Sequence, residues 1–151
     1  MKKKQLLFIS LLGITLTISS CAYVVDPIAC DKFKDCKETI RKTYALQPPK
    51  KAPADVEVTD EYIMAERQLD IHHNITGATT THDTKNLTYF KDIKKLRVSK
   101  KFGRCEIVFK NKANNVVTVI VLSNTDYMIQ GYSAIKCMID QAAKSKENDK
   151  Y

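Results

Sequence analysis

The residues of this 151-residue chain whose types could do chemistry are five cysteines, three histidines and a run of bases. Cys30, Cys36, Cys105 and Cys137 lie in the body of the chain, and Cys21 ends its first apolar stretch. Zinc sites favour close pairs such as C-x₂-C, and none is present. His72 and His73 are adjacent and His82 follows nine residues on. Neighbours on a strand point to opposite faces, so the pair is a poor chelate, and no metal or other cofactor is expected. Ser133 stands in Gly131-Tyr132-Ser133-Ala134-Ile135, without the second glycine of a G-x-S-x-G elbow and inside a helical pattern. No H-E-x-x-H, phosphate-loop or dinucleotide fingerprint occurs. Asp60, Glu61 and Glu66 cluster near Asp70, but spacing alone does not pair carboxylates, so no catalytic residue is assigned. Lys91, Lys94, Lys95, Arg97, Lys100, Lys101 and Arg104 fall within fourteen residues. Such a run suits anionic headgroups, glycolipid phosphates or an acidic partner. Its plainer use is a solvated strand edge, where lysines discourage pairing with other chains.

The N-terminus addresses where such residues would work. Met1-Lys2-Lys3-Lys4 is basic, and residues 6–18 form a thirteen-residue apolar stretch. A spanning helix needs about 20 apolar residues, so this length fits a signal-peptide core instead. Ile18-Ser19-Ser20-Cys21 follows, and it resembles the lipobox of bacterial lipoproteins. The resemblance covers residues 1–21. It implies a diacylglycerol thioether on Cys21, cleavage between Ser20 and Cys21, and a fatty acid such as palmitate on the freed amine. One acyl chain binds a bilayer marginally, and two or three hold firmly. Ala22 does not match the aspartate that retains such proteins in an inner membrane, which implies the outer membrane in a two-membrane envelope.

Apolar residues make up 44% and charged residues 28%, an ordinary globular composition that excludes a collagen-like or wholly disordered chain. A single long apolar run excludes a polytopic membrane protein. The formal charge of +8 drops to +5 once residues 1–20, with three lysines and no acid, are removed. That balance suits an anionic membrane surface, and nucleic acid is not an expected partner of an exported protein.

The elements that must position these residues follow from periodicity. Asp26-Pro27 reads as a helix start, with Ala29, Phe33, Cys36, Ile40 and Tyr44 on one face. Pro48, Pro49 and Pro53 mark a stiff connector, dividing an N-terminal segment 21–54 from a globular domain 55–143. Residues 56–64 suggest a strand or two, and residues 69–85 are strand or loop. Asn86-Leu87-Thr88-Tyr89-Phe90 reads as a strand continued through Ile93, Leu96 and Val98. Phe102-Gly103-Arg104 is a turn, residues 105–110 alternate, and residues 116–122 are apolar on both faces. A helix over 126–143 places Met128, Tyr132, Ile135, Ile139 and Ala142 on one side and Ser133, Lys136, Asp140 and Gln141 on the other, after several N-cap residues. Gly131 within it is expected to allow close approach of a strand. The tail 144–151 is expected to fray.

An even set of four cysteines in an exported domain points to two disulfides. Cys137 sits on the polar side of the last helix, which makes sense if the N-terminal segment covers that side. Cys137 would then bond Cys30 or Cys36, and Cys105 the other; Cys30–Cys36 with Cys105–Cys137 is the alternative. The strand order and final helix define an α+β fold. Tyr89 to Val98, the hairpins to residue 122 and the last helix are similar to bacterial pleckstrin-homology-like domains, which implies a partial barrel closed by that helix. The alternative is an open antiparallel sheet with the helix on one face. The expected function is a non-enzymatic, lipid-anchored binding or structural module of the bacterial envelope, with an envelope protein or anionic lipid as partner. The alternative is an inhibitor or protective factor against a secreted or host hydrolase.

Overall fold

A computed structural model describes residues 24–72 and 79–148. The first regular element is a 3₁₀ turn, Cys30–Lys32, followed by helix α1, Cys36–Ala45. This helix starts nine residues later than Asp26-Pro27 suggests. Asp35 is the residue that caps it: its Oδ1 accepts from the Lys37 N–H at 2.8 Å and the Glu38 N–H at 3.1 Å. Ahead of the turn the chain is extended at Ala29, and a tertiary contact, described below, holds it there.

Among the described residues six strands form two antiparallel sheets of three. The first contains β1 (Asp55–Val58), β2 (Tyr62–His72) and β3 (Thr79–Tyr89) in that order. The pairing of β2 with β3 runs from Tyr62↔Tyr89 to His72↔Thr79, so the stretch 69–85 is strand wherever it is described. Its threonines suit that role, because β-branched side chains favour extended backbone. The second sheet contains β4 (Lys95–Lys101), β5 (Arg104–Lys110) and β6 (Val116–Leu122). The single strand expected across 86–98 breaks at Tyr89. There a 3₁₀ turn, Phe90–Asp92, carries the chain from one sheet to the other. Burial of Phe90 and Ile93 at the junction favours this break, and the Phe90 N–H donates to the Glu61 carbonyl at 2.9 Å.

Helix α2, Thr125–Asn148, packs on the second sheet and on α1. Asn124 caps it, accepting from the Asp126 N–H at 2.7 Å. It takes in residues 144–148, which the charge pattern assigns to a frayed tail. One face of the second sheet, with Val98, Cys105, Ile107, Phe109, Ile120 and Leu122, meets Met128, Ala134, Ile135 and Met138 in the core. Ile40 and Tyr44 of α1 belong to the same core. The proline stretch forms the loop between α1 and β1, and α1 shares its core with the strands that follow. Gly131 does allow a close approach, but to α1: a Cβ there would stand 2.6 Å from Thr43 Oγ1.

The fold is α+β, two open three-stranded sheets with the C-terminal helix packed against them. No closed barrel forms among the described residues, so the open-sheet expectation fits and the pleckstrin-like closure does not. Among the described residues, no helix is long and apolar enough to cross a membrane.

Candidate functional site

The N-terminal segment is fastened along α2 at two points one helical turn apart. The Ile28 N–H donates to Ser133 Oγ at 2.9 Å, and Ser133 Oγ donates to the Ile129 carbonyl at 2.7 Å. Cys30 and Cys137 form a disulfide with a Cα separation of 5.6 Å, well inside the range such bonds accept. Ser133 and Cys137, assigned to the polar side of the helix by periodicity, are both buried by this segment. The N-terminal segment thus covers the helix where the position of Cys137 requires it.

Among the described residues one disulfide forms where two were expected, and Cys36 and Cys105 are unjoined. Cys105 lies buried beside the first residue of α2, its Sγ 3.6 Å from Thr125 Oγ1. The chain entering α1 is tied instead to Cys137, twelve residues or about 18 Å further along that helix. Cys36 is partly exposed, and burial followed by the nearby Asp35 charge pushes its thiol above the ordinary value. A thiol held protonated in this way is a poor nucleophile.

The seven bases singled out from sequence are all exposed, but the sheet divides them. Lys95, Arg97, Lys101 and Arg104 share the outer face of the β4–β5 hairpin, because residues alternate along β4 and Lys101 pairs with Arg104. Lys110, opposite Lys95, joins them on that face. Lys100 points to the other face, opposite Cys105. Lys91 and Lys94 sit on the connection between the sheets, with Lys91 Nζ 5.1 Å from the centre of the Tyr89 ring. Glu106 is the acid on the outer face of β5, and Ser99 Oγ donates to it at 3.3 Å. Among the described residues, none of the seven bases, nor Lys110, takes part in an ion pair. The face carries five bases, Lys95, Arg97, Lys101, Arg104 and Lys110, against one acid, Glu106, a concentrated positive field.

At the tip of that hairpin stands Phe102, expected in a turn but given no role by its sequence context. Phe102 is 98% exposed and has φ +47°, followed by Gly103 at φ +75°. Two successive left-handed residues make the tight hairpin turn usually built from Asn-Gly. A bulky residue there is an outlier. The signal available in the sequence was Lys101-Phe102-Gly103-Arg104, a phenylalanine where turn chemistry favours asparagine.

The clefts offer less chemistry. One, about 410 Å³, opens between the end of β3 and the β5–β6 turn and is lined by Leu87, Tyr89, Asp92, Ile93, Lys112 and Val117 among others. A second, about 250 Å³, contains Tyr44 and Arg67. Burial drives the Tyr44 hydroxyl far above its ordinary pKa, and the Arg67 charge offsets this in part. His82 is exposed on β3, and His73 lies outside the described residues. Among the described residues, no three metal-ligating side chains converge. Cys21 also lies outside them. No protein-family model, curated sequence or solved structure matches the chain.

Proposed function

We propose that this protein is a lipid-anchored module of the bacterial envelope, held at the membrane through Cys21 and acting by binding. The observation that carries this reading is the fastening of the N-terminal segment onto α2. Cys30 lies nine positions after Cys21, and an extended chain of that length spans at most about 30 Å. An acylated Cys21 would therefore hold the whole α+β body close against the bilayer. The Cys30–Cys137 disulfide suits an oxidising compartment outside the cytoplasm, as a signal peptide requires. The basic outer face of β4–β5 then has an anionic surface within reach.

The test is metabolic labelling with palmitate in a bacterium expressing the full chain, alongside a Cys21→Ser variant. Label in the wild-type protein, absent from the variant, together with partition of the wild type alone into the detergent phase, supports the anchor. Equal behaviour of the two proteins overturns it.

A further inference from the structure

We propose that the β4–β5 hairpin tip is a membrane-docking wedge, with Phe102 entering an anionic leaflet and Lys101 and Arg104 engaging lipid phosphates. The inference rests on the membrane location argued above, but its occupant and its test are separate from the acyl anchor. Three observations carry it. The first is exposure: Phe102 projects at 98% from a two-residue turn, where no neighbour shields its ring. The second is conformation. A phenylalanine at φ +47° forgoes the stability that asparagine or glycine would bring to this turn, so the turn itself gives no reason for the ring. The third is charge. Lys101 and Arg104 pair directly across the strands behind the ring, Lys100 flanks them on the other face, and among the described residues none of the three is in an ion pair. An aromatic ring inserts at the headgroup boundary, while long basic side chains reach the phosphates around it.

The geometry of the tether agrees. Cys105, one residue past Arg104 and so close to the tip of the hairpin, abuts Thr125 at the start of α2. Cys137, which fixes Cys30, lies twelve residues or about 18 Å along the same helix. The nine residues back to Cys21 reach up to about 30 Å, so the lipid anchor and the hairpin tip can meet one membrane plane. The anchor and the wedge together would fix the orientation of the domain, where an acyl group alone fixes its distance.

The chain contains no tryptophan, so Phe102→Trp places a single reporter at the tip. The experiment uses the mature chain with Cys21→Ser, which lacks acyl groups and retains every residue of the described core. Vesicles of phosphatidylcholine alone are compared with vesicles containing 30% phosphatidylglycerol. The expected result is binding to the anionic vesicles at low salt, with a blue shift of the Phe102→Trp emission and its quenching by brominated lipid. Phe102→Asn, which keeps the turn, is expected to weaken binding at least fivefold while leaving the thermal midpoint unchanged or raised. Removing Lys101 and Arg104 by glutamine is expected to weaken it by about fivefold per charge. Absence of vesicle binding overturns the proposal. So does binding that Phe102→Asn leaves unchanged, or a tip reporter that stays in water and shifts only on adding an envelope protein extract. Each of these results leaves acylation of Cys21 untouched, so the anchor and the wedge fail independently.

Discussion

Breaking the Cys30–Cys137 bond tests how firmly the N-terminal segment belongs to the fold. The bond closes a loop of 107 residues, nearly the whole described chain. The loop-closure entropy for that length amounts to about 4.8 kcal/mol at 25 °C. Domains of this size have a total stability of roughly 5–15 kcal/mol, so the bond would account for a third or more of it. The perturbation is Cys30→Ala with Cys137→Ala, in the Cys21→Ser background. Alanine at both positions avoids a lone thiol at the buried position 137. Urea denaturation followed by far-ultraviolet dichroism should show a loss of about 3–5 kcal/mol, because measured effects fall at or below the entropic figure. The denaturant slope should rise, since the unfolded chain without its cross-link exposes more surface. Hydrogen exchange at Ile28 should accelerate as its bond to Ser133 Oγ loses its neighbouring clamp. A loss below about 1 kcal/mol with an unchanged slope would refute this account of the segment.

Two further outcomes test the packing of α1. Gly131→Ala would set a Cβ 2.6 Å from Thr43 Oγ1 and 3.0 Å from Thr43 Cβ. Overpacking costs about 1–3 kcal/mol and alanine returns about 1 kcal/mol of helix propensity, so a net loss of about 1–2 kcal/mol is expected in thermal or urea unfolding. In a Thr43→Ala background the same change should cost less or become stabilising, which a double-mutant cycle measures. Tyr44 makes the alkaline prediction. Its folded-state pKa lies above the unfolded value near 10, so the protonated hydroxyl belongs to the native state. Its contribution is fully present below about pH 10 and is lost as pH rises above that, at about 1.4 kcal/mol per pH unit. Urea midpoints measured between pH 8 and 11 should fall less steeply in Tyr44→Phe than in the wild type; an identical slope would show that Tyr44 is not the group responsible.

Local patterns carried much of this fold, and tertiary contacts decided the rest. The alternation of Cys105, Ile107 and Phe109 and the two-sided apolar run 116–122 placed β5 and β6, because periodicity there reports burial directly. The face of α2 containing Met128 and Ile135 was legible for the same reason. Ser133 and Cys137 were assigned to a polar side, yet a second segment buries that side, which no single-helix wheel can show. Cys137 itself was the clue, since an exposed thiol fits poorly with an oxidising compartment. The start of α1 was misplaced because Asp26-Pro27 and Asp35 are both sound helix starts, and the contacts of Ile28 and Cys30 with α2 selected the second. The break at Tyr89 was hidden for a related reason: a continuous run of strand formers does not reveal that its two halves enter different sheets. In the candidate site, the bases were visible in sequence as a cluster. Their division between faces needed the register, and the exposure of Phe102 needed the backbone angles of the turn.

The central claim is that a short covalent path joins the membrane to the folded body through Cys21 and Cys30. Peptide mass spectrometry of the membrane fraction, without reduction, reads both ends of that path at once. The account predicts an acylated peptide beginning at Cys21 and a cross-linked pair containing Cys30 and Cys137, with Cys36 and Cys105 alkylated as free thiols after unfolding. A chain that retains Met1, an unmodified Cys21, or Cys137 bonded to a different cysteine would contradict it.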